Sequence, residues 1–535
     1  MGIGGQGISA VAQMVLKASG DSVVVSGCDM QASATTRALV EQAGVAVEIG
    51  HSVEHLTGID RLVVVPAALV LNPDHEELAM ARARGIPMIT WQEMLGELMQ
   101  GKCVISVSGV HGKGTTTAML ALMLVDAGLD PTCEIGAVVP RFGVNYRLGQ
   151  SQYFVNEADE FYNNFWHYHP RLAVVTSVEF EHPEFFADYE TFLASFEHFV
   201  RGMDGVGGVD GVNGGWPLPP TLILNANSAG CADLLRRLED WPGRVVTYAV
   251  EGLVAQKDVS AASREKKLTN FAGGDTTERG VTKSGSLPSN GVERDVLANR
   301  ESQATFEAYD VKLEGETSFH VRSLWGGAFP TDVRIHLQLP GLHNVQNALA
   351  ALSAARVLGI DAATIVNTLE SFSGIRRRFE IRAQGAVEIN GRPMNVVLVD
   401  DYAHHPTAIA ATLEAARKRY PGRRLVAVYQ PHMYSRTRTF FGQFLQAFDL
   451  ADVAIIADIF PARERDTGLV SARELVEAMA KRPHFQQEGG QVWHGESVEA
   501  TAHLLRGMLR SGDVVLVMGA GDIYKVTEMI LNEAG

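Results

Sequence analysis

Along most of this chain, short apolar runs ending in polar clusters alternate with longer stretches whose apolar positions recur at helical spacing. That alternation predicts parallel strands joined by helices, an α/β fold. In a first unit, residues 1–100, "GIGGQGISAVAQMVLKASG" reads as a glycine turn entering an amphipathic helix, and "DSVVVSGCDM" and "RLVVVPAALV" read as strands. Such a turn usually follows a buried strand. Only Met1 precedes it here, so that strand is expected to be missing or to lie upstream of the given start.

A second unit, 101–374, opens at "KCVISVSGVHGKGTTT" and continues through the strands of "QYFVNEADEF", "RLAVVTSVEFEH" and "PPTLILNAN". Two stretches interrupt it. Residues 202–219 are glycine-rich and read as a loop. Residues 256–304 hold one aromatic, Phe271, and cannot bury enough apolar surface to offset their ordering entropy, which predicts a disordered surface insertion. The third unit, 375–535, carries "NVVLVDDYAHHP", "RLVAVYQPHMYSRTR", "DVAIIADIF" and "DVVLVMGAGDIYK", strands with polar C-terminal ends. Ligands bind at that edge of open parallel sheets.

Composition narrows the function classes. The 46 basic against 62 acidic residues give a net charge of -16, which argues against nucleic-acid binding. Cys28, Cys103, Cys133 and Cys231 are far apart and form no CxxC pair, so neither a disulfide framework nor a zinc site is expected. No apolar run reaches the roughly 18 residues needed to span a bilayer. No basic segment precedes an apolar stretch at the N-terminus, so a cytoplasmic location without a membrane partner is expected.

The loop "GVHGKGTTT" departs from the strict phosphate-loop pattern at Val107 and at Gly114, which follows the lysine where Ser or Thr is usual. Its setting between an apolar strand and an Ala/Leu-rich helix still suits a nucleotide. The backbone from Gly109 through Val110, His111, Gly112, Lys113, Gly114, Thr115 and Thr116 would meet phosphates there. A shift of one residue would bring the Thr115 hydroxyl to a metal. The plainer alternative is a glycine turn with an exposed Lys113. Glu157, Asp159 and Glu160 follow one strand, and Glu179, Glu181 and His182 follow another. Carboxylates with one imidazole suit Mg²⁺, although either cluster alone also reads as a solvated loop. Asn344 and Asn347 lie on one helical face, where Asn344 could equally be a cap. Arg376, Arg377 and Arg378 offer a phosphoryl-binding arginine or a solvated face, and "DDYAHHP" joins Asp400 and Asp401 to His404 and His405.

Taken in order, GxxGK, EADE, ExEH, HNxxNALAA, RRFE, DDYxHHP and QPHxYSRT resemble the Mur ligases, the ATP-dependent amide-forming enzymes of peptidoglycan assembly. The resemblance covers nearly the whole chain apart from the two interruptions. It implies three domains: a Rossmann-like N-terminal domain that binds a UDP-sugar, a phosphate-loop ATPase, and a Rossmann-like C-terminal domain. The motifs most resemble members that join L-alanine to UDP-N-acetylmuramate, using ATP and Mg²⁺. On that resemblance, Gly4, Gly5, Gly7, Asp29 and His51 would bind the UDP-sugar. Lys113, Asn344, Asn347, Arg378 and Asp401 would bind ATP, and Thr115, Glu157 and His182 would hold metal. Lys113, His182, Arg378 and His404 would be catalytic, and His432 and Arg436 would meet the amino acid. The pattern departs from the family at GKGTT, at Pro66–Ala67 where two serines are expected, and at Met433 where an arginine is expected. These departures keep two alternatives in view, a ligase that recycles a whole tripeptide and an inactive binding homologue.

Overall fold

The computed structural model describes residues 1–30, 34–204, 218–253, 304–325, 329–330, 333–389, 391–462, 464–466, 468–487 and 490–532. The insertion expected at 256–304 lies outside the described residues except for residue 304, and the loop expected at 202–219 does so over 205–217.

In the first unit the glycine turn leads into the helix Gln6–Ser19, which buries Ile8, Ala10, Val11 and Met14. Two small parallel sheets accompany it. Strand β1 (Ser26–Asp29) pairs with β2 (Ala46–Ile49), and β3 (Leu62–Val64) pairs with β4 (Met88–Thr90). The first residues of the chain bridge the two sheets. The Met1 ammonium donates to the Val63 carbonyl at 2.8 Å. The N–H groups of Gly2 and Ile3 donate to the Cys28 carbonyl at 2.8 and 3.1 Å. Two expectations are corrected here. The strand foreseen from residue 21 begins only at Ser26, with Val24 94% exposed. The strand foreseen through "PAALV" stops at Val64, because Pro66 takes the first position of a helix, Pro66–Leu71, where its missing N–H costs nothing.

The second unit is built on a ten-stranded sheet in the order β14-β13-β12-β11-β10-β9-β5-β8-β6-β7. These strands are β5 (Cys103–Ser108), β6 (Thr132–Glu134), β7 (Tyr146–Arg147), β8 (Tyr153–Glu157), β9 (Leu172–Val175), β10 (Thr221–Asn225), β11 (Arg244–Val250), β12 (Phe306–Lys312), β13 (Thr317–Ser323) and β14 (Arg334–Leu337). From β12 through β6 neighbouring strands run parallel, and antiparallel pairs close both ends. Strand β5 is buried throughout and lies between β8 and β9. The chain leaves its C-terminal end toward β6 on one side and later fills β9 on the other. That reversal of strand order opens a crevice above β5. The helix Lys113–Asp126 starts there and packs against the Leu342–Val357 helix, which is buried almost all round. Alanines at 348, 350, 351, 354 and 355 allow the close approach.

The third unit has a six-stranded sheet ordered β15-β16-β20-β17-β18-β19. Its strands are β15 (Glu380–Ile389), β16 (Arg392–Asp401), β17 (Leu425–Tyr429), β18 (Val453–Ala457), β19 (Gln491–Glu496) and β20 (Val514–Met518). All pairs are parallel except the β15–β16 hairpin.

Candidate active site

The phosphate loop leaves β5 through Gly109 and Gly112, whose φ angles are +122° and +81°. Both glycines are needed for room as well as conformation. A Cβ on Gly112 would lie 2.1 Å from Asn347 Oδ1, and one on Gly109 2.4 Å from Thr176 Oγ1. The helix begins at Lys113, so Gly114 sits inside it and has no left-handed φ. What Gly114 admits is Glu157: a Cβ there would stand 3.0 Å from Glu157 Oε2 and 3.3 Å from Ile375 Cδ1. Gly136 also crowds Glu157, donating its N–H to Oε2 at 2.8 Å, and its own Cβ would fall 2.6 Å from that oxygen. Among the hydroxyls that follow, Thr116 donates to Asn347 Oδ1 at 3.4 Å and Thr117 to the Lys113 carbonyl at 2.8 Å. Thr115 is the one that lines the cavity.

Lys113 is not the exposed side chain of a plain glycine turn. Its Nζ lies 2.7 Å from Glu160 Oε2 and 3.9 Å from Asp159 Oδ1. Burial alone would lower its pKa, but the Glu160, Asp159 and Glu157 carboxylates outweigh burial and raise it, so the ammonium persists. Asp159, Glu160 and His182 bring one ligand atom each within 4.8 Å of one another. His182 sits at φ +57°, its ring against Phe161 and its Nδ1 3.2 Å from Glu184 Oε1. This oxygen-rich set with one imidazole fits a hard divalent ion.

Residues from the third unit close over this floor. His111 of the loop lies 3.0 Å from Glu179 Oε2, while Glu179 Oε1 accepts the Thr407 hydroxyl at 2.7 Å. Arg436 is 2% exposed and donates from Nε to Glu181 Oε1 at 2.9 Å. Its Nη1 lies 3.0 Å from His432 Nδ1 and 3.9 Å from the Met433 sulfur. Burial would raise the Glu181 pKa, but the Arg436 guanidinium together with the His405, His182 and His404 rings outweighs it and holds the carboxyl well below its usual range. His404 shares its Nδ1 with the Tyr402 carbonyl at 3.1 Å, and burial followed by the Arg436 charge keeps this imidazole neutral.

Asn344 and Asn347 are both buried, and Asn347 Nδ2 donates to Asn344 Oδ1 at 3.1 Å. Asn344 is no helix cap, because Gly341 holds that position. In the connection between units, the Arg377 guanidinium lies over the rings of Tyr402 and Tyr524 and donates to the carbonyls of Gly519 and Gly521. Arg378 lies over Tyr402 and lines the cavity. Asp401 accepts the N–H groups of Phe379 and Ala403 at 2.8 and 2.7 Å, so both its oxygens hold backbone in place.

One cavity of about 2950 Å³ runs from Gly4 and Gly5 past Lys113, Glu157, His182 and Asn344 to Arg378, His404, His432 and Arg436. Gly7, Asp29 and His51 lie outside its lining. A Cβ on Gly7 would meet Trp91 at 2.6 Å, so that glycine serves packing. Asp29 accepts the Gly4 N–H at 2.9 Å and fixes the glycine turn. His51 faces Glu77 at 3.1 Å. Sequence reasoning did not foresee Glu160 as the partner of Lys113 or Glu181 as the partner of Arg436. The second pair is 255 residues apart, and no local pattern signals it.

Two family models match the chain: "Mur ligase family, catalytic domain" over residues 1–102 and "Mur ligase, glutamate ligase domain" over 377–521. The chain is 34% identical to the UDP-N-acetylmuramate–L-alanine ligase of Clostridium kluyveri, covering 100% of this chain and 97% of that one. It is 35% identical to the enzyme of the same name from Roseiflexus castenholzii, with the same coverage. Among solved structures, the UDP-N-acetylmuramate-alanine ligase of Thermotoga maritima superposes with TM-score 0.70 at 21% identity, covering 99% and 97% of the two chains. The murein peptide ligase of Psychrobacter arcticus gives 0.65 at 24% identity, covering 100% and 98%.

Proposed function

This chain belongs to the Mur ligase family, and from that membership we propose that it joins L-alanine to UDP-N-acetylmuramate at the expense of ATP, in peptidoglycan precursor synthesis. The supporting observation is the single cavity reaching from the glycine turn to the His432–Arg436 pair, read together with the full-length likeness to L-alanine ligases.

The reaction divides into two displacements. A muramyl carboxylate oxygen attacks the γ-phosphorus of ATP, ADP departs, and an acyl phosphate forms. The amino nitrogen of L-alanine then attacks the acyl carbon, loses a proton and expels phosphate, leaving the amide. Such phosphoryl transfer depends on positioning and charge neutralisation. In this reading residues 1–100 hold the UDP-sugar, 101–374 the ATP and 375–535 the amino acid. Lys113 sits against the β- and γ-phosphates once nucleotide displaces its carboxylate partners. Arg378 approaches the transferred group from the connection between units. Asn344 and Asn347 face the adenine side, and Asp401 positions Arg378 through the backbone of Phe379. Thr115 and Glu157 would hold one Mg²⁺ and His182 a second, ions that neutralise phosphoryl charge when bound. His432 and Arg436 receive the L-alanine carboxylate, and His404 packs beside them. None of the described helices is long and apolar enough to cross a membrane, and the nucleotide substrates suit a cytoplasmic enzyme.

ADP release with UDP-N-acetylmuramate and ATP, supplied with L-alanine, the L-Ala–D-Glu–diaminopimelate tripeptide or neither, tests this reading. L-alanine should support turnover and the tripeptide should not. The opposite preference, or no ADP with either, would overturn it.

A further inference from the structure

We propose that Cys28, His51 and Glu77 form a zinc site that fastens the two small sheets of the first unit together. The three side chains come from separate places: Cys28 from β1, His51 from just beyond β2, and Glu77 from the helix Glu76–Ala83 between β3 and β4. Because the ligands are 23 and 26 residues apart in sequence and include one sulfur, no CxxC-type spacing announces them.

The ligand atoms already form a compact triangle. Cys28 Sγ lies 3.3 Å from His51 Nδ1, His51 Nδ1 lies 3.1 Å from Glu77 Oε2, and Cys28 Sγ lies 3.7 Å from Glu77 Oε2. Zinc bonds of about 2.3 Å to sulfur and about 2.0–2.2 Å to nitrogen or oxygen, at tetrahedral angles, place such atoms about 3.3–3.6 Å apart. Hydrogen bonds alone can give similar distances, so the surroundings must decide. Glu77 is 1% exposed. Its Oε1 is held by the Ser52 N–H at 3.2 Å and by His55 Nδ1 at 2.8 Å and lies 3.5 Å from Cys28 Sγ, which leaves Oε2 facing His51. Fixing a carboxylate through its second oxygen is the support that metal-ligating carboxylates receive. His75 stands edge-on to His51 with ring centroids 5.0 Å apart and adds a further imidazole beside the triangle.

Charge and donor type select the ion. One thiolate and one carboxylate neutralise a dication, so the filled site is neutral in a buried place. Sulfur with imidazole favours zinc over the hard ions of the ATP site. Burial pushes the Cys28 thiol up to about 12, so the thiol keeps its proton until a cation arrives. Binding releases that one proton, and His51 keeps its own on Nε2. The site leaves only Nε2 of His51 to a nucleotide, and it gives β1–β2 and β3–β4, which do not pair with each other, a common anchor.

The test uses the full chain stripped with a chelator. Elemental analysis after re-equilibration should find zinc retained at about one equivalent through gel filtration. Cobalt(II) in its place should give a near-ultraviolet thiolate-to-cobalt charge-transfer band. Cys28→Ser should abolish the band and weaken zinc binding at least about tenfold, while Cys231→Ser keeps both. If Cys28→Ser does not fold, Glu77→Gln should weaken zinc binding similarly. Cobalt bound without the thiolate band, or zinc held as tightly by Cys28→Ser as by the parent, would overturn the proposal, since the carboxylate clusters of the ATP site contain no sulfur.

Discussion

At the scale of single residues, the proposed ATP site turns on Gly114 and Thr115, which would let a loop without the usual hydroxyl serve a metal-bound nucleotide. Gly114 lies within the helix and makes room for Glu157, which Gly136 holds from the other side. Gly114→Thr would restore the commoner spelling yet press a branched side chain on that carboxylate, so ATP turnover should fall. Thr115→Ala should lower turnover about 10²-fold and raise the Mg²⁺ requirement. Unchanged kinetics in Thr115→Ala, or faster turnover in Gly114→Thr, would contradict this account of the loop. The half-buried His343 also contributes to the acid limit. Burial lowers the His343 pKa from 6.5 to about 4. The folded pKa lies below the unfolded one, so the stabilisation is full above pH 6.5 and drains away as pH falls toward about 4. The shift corresponds to about 3 kcal/mol. Thermal unfolding between pH 7 and 4 should show a midpoint several degrees less pH-dependent in His343→Gln than in the parent.

At the scale of elements, apolar runs with polar ends located β5, β8, β9, β10, β16, β17, β18 and β20 because parallel strands are buried on both faces. The first unit was less legible. Val23 and Val24 have strand propensity but are exposed, and Pro66 opens a helix inside an apolar run. Propensity there yields to tertiary setting. In the candidate site, the polar clusters were readable from the strand ends that carry them, but their pairing was not. The Glu181–Arg436 bridge joins the loop after β9 to the short helix Tyr434–Thr439 of the third unit, both partners nearly inaccessible. Removing one partner strands the other charge in a dry place, at a cost of about 3–5 kcal/mol. Glu181→Gln and Arg436→Gln should each lower thermal stability sharply, and the double variant should lose less than the sum. Additive losses would show that the two groups do not act as a pair.

At the scale of the whole molecule, one cavity spans all three units, with its phosphate-loop floor in the second and its cover in the third. The His111–Glu179–Thr407 contacts and the Glu181–Arg436 bridge hold floor and cover together. An arrangement of this kind lets an acyl phosphate form and be consumed without release to water. The central claim is that a carboxylate oxygen of the sugar nucleotide becomes an oxygen of the released phosphate. Synthesis with UDP-N-acetylmuramate carrying ¹⁸O in its lactyl carboxylate, with ATP and L-alanine, tests this directly when phosphate and product are weighed by mass spectrometry. The account predicts one ¹⁸O in each released phosphate, with an amide product that retains the other. Unlabelled phosphate alongside product formation would contradict it.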